Sequence, residues 1–575
     1  MRRPGRALAV LLALAAVLSA CAGLPTSGPV NPGLQSDEVP EDNFLYYPEG
    51  PASGATPEQI VQGFVEAATS PAGDWATARE FLTEDFADAW EPGSFVVIDV
   101  PNGRTYDDTL LATEQAVVLR TSTVATVDQR GVYATASDPG EELRYELMQR
   151  ADGEWRIAQA PEGIVLDRDY FPNVYSDYTL HFYDPTGRFL VPDVRWFPEA
   201  AMRPTRLAAE LLRGPSASLQ GAVRTAFPEG SQLAEGTVVA IDESGIADVA
   251  LQGVATGVDA GVVARMRAQL TATLAGVGAQ GVRLRAGSSE LSAEEHDPFP
   301  TRPDTRALVL GGEDLGGAFG FLATDGIERI DGLSDAIESM SPAPRSISVS
   351  RERDAALVQG ADGAVSLVTA AGEVLTLDER AGLIEPALDP SGYTWSVPQS
   401  APGQLAAIGA DGEVVLSTGL PQNDALAITS VQAIAVSRDG TRLAALVTGA
   451  GGESWAVVAP IIRDGEGEPS GVGEVGVLTQ LDGAGVDVEW LDDAGVGIVA
   501  RDGAELEIVD QRIGGPGTRM ASPADAVGIA SGTQGSPIRL LDADGGLHVR
   551  RGAAWVRTVL GVAVLATDVG APQED

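Results

Sequence analysis

Ten Asp-Gly dipeptides punctuate the chain, and nine of them fall from Asp325 onward. Between apolar runs this pair is a strong hairpin signal, because both residues tolerate the positive φ that tight antiparallel turns demand. Anchors at Asp325, Asp362, Asp411, Asp464, Asp502 and Asp544 are spaced by 37, 49, 53, 38 and 42 residues, a mean close to 44. An apolar run usually precedes the anchor, as at 355–358, 405–408, 496–499 and 538–541. Another often follows: Val365 with Leu367, Val414 with Leu416, Leu506 with Ile508, Leu547 with Val549. A third lies upstream in several units: Ile347 with Val349, Ile434 with Val436, Val488 with Trp490. Antiparallel hairpins repeated at this period predict a β-propeller. A pair of β-sandwiches leaves the period unexplained. The expected propeller covers residues 306–571 with about six or seven blades.

Composition changes at the same boundary. Phe321 is the last phenylalanine, and of ten tyrosines only Tyr393 lies beyond Tyr183. Residues 288–305, with Asp297-Pro298-Phe299-Pro300, read as a linker. Upstream, the spacing predicts two α+β domains. The first, 48–170, opens on a helix start at Thr56-Pro57 with Gln59 placed for a capping box, and Ile60, Val61, Phe64 and Ala68 share one face. A second helix from Asp74 buries Trp75, Ala78, Phe81 and Leu82. Strands follow at 95–100, 116–127, 132–136 and 143–148, with Asp152-Gly153 turning into 155–158. Two or three helices before a curved antiparallel sheet suggest a cone of the nuclear-transport-factor type, with its pocket unused. The second domain, 175–287, reads β-α-β-β-α-β: 178–183, a helix from Pro204, strands 237–242 and 246–251, a helix over 262–274, and 282–285 closing the sheet.

The amino terminus carries Arg2, Arg3 and Arg6, then an uncharged apolar run to Leu18, then Ser19-Ala20-Cys21. This is the anatomy of an exported precursor, and about a dozen apolar residues are too few to span a bilayer. Cys21 is the only cysteine. The site resembles the lipobox of bacterial lipoproteins. The resemblance implies cleavage by signal peptidase II between Ala20 and Cys21, with S-diacylglycerol and N-acyl groups on Cys21. Two or more acyl chains suffice for stable anchoring. Residues 21–47, interrupted by Pro25, Pro29, Pro32 and Gly33, read as a flexible tether.

Charge and residue usage remove whole classes of function. The 38 basic residues are all arginine, against 82 acids, for a formal charge of −44, and removal of residues 1–20 makes it about −47. That field repels phosphate backbones, and no basic patch interleaved with aromatics occurs, so no nucleic-acid partner is expected. Without lysine there is no phosphate-loop lysine and no Schiff base. With Cys21 committed to lipid there is no disulfide or thiol nucleophile. His181, His296 and His548 are scattered and read as surface or satisfied residues. Gly276/Gly278/Gly281 and Gly471/Gly473/Gly476 match Gly-x-Gly-x-x-Gly without the strand-then-helix context a dinucleotide site needs. The acid pairs Asp107-Asp108, Glu141-Glu142, Glu294-Glu295 and Asp492-Asp493 read as solvated faces. No catalytic, cofactor or metal residue is assigned, and no cofactor is expected.

Several stretches carry a family resemblance. "LHFYD…GRFLVPDVRWFP…LAAELLRGPS…TAFPEG" and "ARMRAQLTATLAG…VRLRAG" look like the GerMN domain, and Ser437-Arg438-Asp439-Gly440 resembles the blade turn of TolB-type propellers. "YYPEGPASGATPEQIVQGFVEAATSPAGDW" looks like the N-terminal signature of the actinobacterial LpqB lipoprotein family, and the ordered set resembles that family across nearly the whole mature chain. The resemblance implies a lipid-anchored protein on the extracytoplasmic face of the cell membrane, not an enzyme. Its implied role is as an accessory to the extracellular part of a sensor histidine kinase of the MtrAB two-component system. An envelope hydrolase using a carboxylate pair and a wall-glycan or protein scaffold are the rival readings.

Overall fold

The computed structural model describes residues 48–568 apart from 101, 137–139, 199–201, 294–305, 324–325, 422–425, 524, 532–537 and 553. Cys21 and its leader, the tether, Asp297-Pro298-Phe299-Pro300, His296, Glu294-Glu295 and the anchor Asp325 lie outside the described residues.

The first domain starts on the expected cap. Thr56 Oγ1 accepts from the Gln59 amide at 3.3 Å while Gln59 Oε1 accepts from the Thr56 amide at 2.9 Å, satisfying two of the donors a helix start leaves open. Helix Pro57–Ala67 buries Ile60, Val61, Phe64 and Val65. The next helix, Ala72–Arg79, is not regular: Gly73, Asp74 and Trp75 take left-handed backbone angles, so Phe81 and Leu82 reach the core from beyond its end. Strands Phe95–Asp99, Ala116–Asp128, Gly140–Gln149 and Trp155–Gln159 form the curved antiparallel sheet. Ile164–Asp167 was not anticipated; it lies parallel to Phe95–Asp99 at the sheet edge. The interior of the cone is filled. Phe64 packs on Trp90 at 5.1 Å and on Tyr145 at 6.0 Å, and Trp90 Nε1 donates to the Gly163 carbonyl.

The second domain departs from a single β-α-β-β-α-β sheet. Tyr175–Tyr183 and Leu190–Pro198 form a two-stranded hairpin, which an isolated antiparallel bridge from Tyr183 ties to Arg224. A separate sheet is built on Ile246–Gln252, parallel to Gly281–Ala286, with Ser289–Glu290 folding back on Arg285 and Ala286. Helices Arg203–Leu212 and Ala260–Leu274 pack against the hairpin and that sheet. Every residue of Leu190–Pro198 is buried, as a strand covered by protein on both faces must be.

The third domain is a propeller of six blades among the described residues. Blade two is Ser346–Val349, Ala355–Gln359, Val365–Thr369 and Val374–Asp378; blade three is Ala387–Leu388, Thr394–Ser396, Leu405–Ile408 and Val414–Thr418. Blade four is Ile428–Val436, Arg442–Gly449 and Ser454–Arg463, whose outer edge is shared by Pro469–Val472 and Gly476–Leu481. Blade five is Ala484–Trp490, Gly495–Asp502, Glu505–Arg512 and Gly517–Ala521; blade six is Ala526–Ala530, Arg539–Asp542, Leu547–Arg551 and Ala554–Val559. Blade one takes its inner strand, Val562–Thr567, from the far end of the chain and pairs it with Ala307–Gly311. The inner strands of successive blades touch one another around a closed ring. Closure by the last strand leaves no free inner edge.

Candidate functional site

Strand Leu190–Pro198 is the place where the three domains meet. Asp193 and Arg195 sit on it two residues apart, on one side of the strand. Arg195 Nη2 donates to Asp193 Oδ2 at 2.7 Å, and the side chains are 0% and 5% exposed. The remaining polar atoms find partners in both the first and the second domain. Arg195 Nη1 donates to the Arg130 carbonyl, and the Ser216 amide donates to Asp193 Oδ2 at 2.7 Å. Trp196 donates its amide to the Gly131 carbonyl in the first domain and its Nε1 to the Gly514 carbonyl in the propeller, each at 2.8 Å. Arg130 reaches back to the Gly214 and Pro215 carbonyls. Thr135 Oγ1 donates to the Leu478 carbonyl, and Arg512 pairs with Asp177 at 2.7 Å. A mostly apolar cavity of about 300 Å³ remains at this junction, lined by Tyr133, Val194, Leu219, Arg442 and Ile513.

A second feature lies on the propeller axis. A cavity of about 200 Å³ is lined by Glu385, Asp487, Glu489, Arg345 and Arg438, from four different blades or their connections. Asp487 and Glu489 alternate with the buried Val488 and Trp490 on the inner strand of blade five, so both acids share one side. Asp487 Oδ2 accepts from the Ile529 amide at 2.8 Å, and Glu489 Oε1 accepts from the Trp490 amide at 2.9 Å. Glu385 lines the cavity and is exposed to it. Loss of bulk solvent, reinforced by the Asp487 and Glu489 charges, pushes its carboxyl well above the ordinary carboxylate range. Burial pushes Asp487 up against the pull of the two amides, and pushes Glu489 up to about 7 against the Arg438 guanidinium. Arg438 is itself lowered by burial.

The residues singled out from sequence behave differently from one another. His548 is buried and its Nε2 lies 2.8 Å from Asp542 Oδ2. His181 corrects the expectation of a satisfied histidine. Its Nδ1 is sealed from solvent without a partner, and burial pulls the ring down to about 4. Gly276 and Gly278 follow helix Ala260–Leu274 and Gly281 opens a strand, while the second glycine set links two outer strands of blade four. Asp107 and Glu142 both pair with Arg120 on an exposed face. Among the described residues no group of three or more His, Cys, Asp or Glu side chains is placed to hold a metal ion. Sequence reasoning missed the axial acids because Glu385 stands alone in its stretch. The alternation Asp487-Val488-Glu489-Trp490 was the legible signal.

A closed six-bladed propeller joined to two α+β domains defines a multidomain protein with a β-propeller at its C-terminal end. Family profiles described as "Lipoprotein LpqB, N-terminal domain" and "Lipoprotein LpqB beta-propeller domain" match residues 50–172 and 317–565, and one described as "Sporulation and spore germination" matches 179–292. The chain belongs to the LpqB lipoprotein family. Lipoprotein LpqB of Streptomyces coelicolor is 28% identical over 98% of both chains. That of Cutibacterium acnes is 32% identical over 51% of this chain, a match spanning 48% of the relative's length. Among solved structures, TolB from Acinetobacter baumannii aligns with 46% of this chain and 66% of its own, at 16% identity and a TM-score of 0.33. No helix among the described residues is long and apolar enough to cross a membrane.

Proposed function

We propose that this LpqB-family lipoprotein is a non-catalytic accessory factor, held on the extracytoplasmic face by acyl groups on Cys21, that binds the extracellular region of an MtrAB-type sensor kinase in cell-envelope homeostasis. One observation carries the reading: the buried Asp193–Arg195–Trp196 stretch joins all three domains. A buried polar network shared between domains favours one domain orientation. The result is a broad surface of fixed shape, which suits recognition of another folded protein. The formal charge of −44 favours a partner surface rich in arginine and lysine, and such association slows as salt screens it.

The test is crosslinking in living cells at native expression, followed by binding of the purified chain to the kinase's extracellular region. Recovery of the kinase, and altered binding when residues 306–571 are deleted, supports the reading. Recovery of wall-synthesis proteins alone replaces it with the scaffold reading. The hydrolase rival draws on Glu489, whose carboxyl near neutrality suits a general acid. Glycan turnover abolished by Glu489→Gln favours that rival.

A further inference from the structure

The cavity where the three domains meet is walled by Val194 and Leu219 of the second domain, Val475 and Ile513 of the propeller, and Tyr133 of the first domain. The first four are more than nine-tenths buried. Ala134, Ala217 and Glu474, one from each domain, are exposed residues of the same lining and mark its mouth. Two buried charges also line it. Asp193 is engaged by Arg195 and the Ser216 amide. Arg442, with its side chain 2% exposed, is only partly engaged. Its Nη2 donates to Asp439 Oδ2 at 3.0 Å and to the Asp493 carbonyl at 2.7 Å, and its Nε is sealed by protein. Its Nη1 is different: among the described residues it has no hydrogen-bond partner, and it is not sealed. In a side chain so enclosed, Nη1 opens onto the cavity that the residue lines.

Ligand sites are mostly apolar concavities with a few placed polar groups, and they favour domain interfaces. About 300 Å³ holds about ten waters at ~30 Å³ each, or a solute of about ten non-hydrogen atoms. Apolar walls deny water most of the hydrogen bonds it needs, so an apolar body fills the space better. Nη1 calls for an acceptor at one end of that body. Asp439 already balances the Arg442 charge and Glu474 adds a negative one at the mouth, so a further buried anion is disfavoured and the acceptor is neutral. We propose that the three-domain junction binds a small apolar molecule with one neutral carbonyl, an acyl amide or ester of about ten non-hydrogen atoms. Its carbonyl oxygen accepts from Arg442 Nη1, and its chain lies against Tyr133, Val194, Leu219 and Ile513. Because the walls belong to three domains, binding stabilises their junction. This site goes beyond the partner-binding function above and does not depend on it.

The test uses the full lipidated chain in nanodiscs, with protein-free discs as the blank, and three probes of one chain length: octanamide, octanoate and octylammonium. Calorimetric titration is expected to show saturable binding of octanamide, with octanoate and octylammonium at least tenfold weaker. Octanamide is also expected to raise Tm. Ala217→Trp, at an exposed position of the mouth, should weaken octanamide at least tenfold and leave the ligand-free Tm unchanged. Arg442→Met should weaken it as much. If that variant misfolds, because Asp439 loses its partner, Ala217→Trp and the infrared band of carbonyl-labelled octanamide decide: a guanidinium hydrogen bond lowers the band on binding. Equal binding of octylammonium, tighter binding of octanoate than of octanamide, octanamide binding unchanged by Ala217→Trp, an unshifted carbonyl band, or no binding of any probe to the folded chain overturns the site. Failure to recover a kinase leaves it standing.

Discussion

The Trp196 indole donates across 2.8 Å to the Gly514 carbonyl, tying residues 318 positions apart in the chain. The same ring packs on Phe171 at 5.0 Å, and the residue is 7% exposed. It therefore belongs at once to the first domain's core, the second domain's strand and the propeller rim.

Trp196→Ala is expected to cost about 3–5 kcal/mol, the range for emptying a buried aromatic site, and to separate the melting of the propeller from that of the amino-terminal domains. Trp196→Phe keeps most of the packing and loses the hydrogen bond, for about 1 kcal/mol. Differential scanning calorimetry reads both. A single transition at the parental Tm in Trp196→Ala would refute the coupling role.

Asp389 and Arg463 form an ion pair at 2.6 Å with side chains 0% and 2% exposed, joining blades three and four. Asp389 also accepts from Trp395 Nε1 and from the Ser391 and Tyr393 amides. Asp389→Ala strands a buried guanidinium and should cost about 3–5 kcal/mol, whereas replacing both partners with apolar residues should cost less than the single change. Urea unfolding of the single and double variants decides the order.

Stability should fall as pH rises from about 4.5 through about 7. Glu385, Asp487 and Glu489 have folded pKa values above their ordinary ones, Glu489 reaching about 7 from 4.5. The folded state thus holds protons the unfolded chain has released, and that stabilisation disappears as pH climbs through the folded values. His181 acts oppositely, because its folded value near 4 lies below 6.5, so its contribution is lost only as pH drops below 6.5. Glu385→Gln with Glu489→Gln should flatten the alkaline limb of a Tm–pH curve and leave the acid limb in place. An unchanged alkaline limb would locate the effect elsewhere.

Cys21→Ala should block lipidation and leave the precursor uncleaved. The measurement is palmitate labelling with mass determination of the amino terminus. Cleavage at the Ala20–Cys21 bond in that variant, with label still incorporated, would rule out the lipobox.

The repeat was legible because hairpins are local. Asp362, Asp502 and Asp544 turn between the second and third strands of their blades, and Asp411 and Asp464 between the third and fourth. This change of turn explains the spacing of 49 from Asp362 to Asp411 and the short 38 from Asp464 to Asp502, whereas the 53 from Asp411 to Asp464 joins equivalent turns and reflects the long strands of blade four. Asp331-Gly332 shows the limit of the signal, since Gly332 caps helix Leu333–Glu338 and makes no hairpin.

Periodicity, capping residues and turn dipeptides determined the helices, most strands, the propeller class and the division into three domains, because each acts over a few residues. Blade number, the separation of the 175–198 hairpin from its neighbouring sheet, and the convergence of Glu385, Asp487, Glu489 and Arg438 were decided by tertiary structure alone. The ring closes by pairing Ala307–Gly311 with Val562–Thr567, and only that closure brings inner strands from distant segments around one axis. Hydrophobic alternation shows which side of a strand is covered, whereas its covering partner depends on contacts across hundreds of residues, which local pattern does not encode.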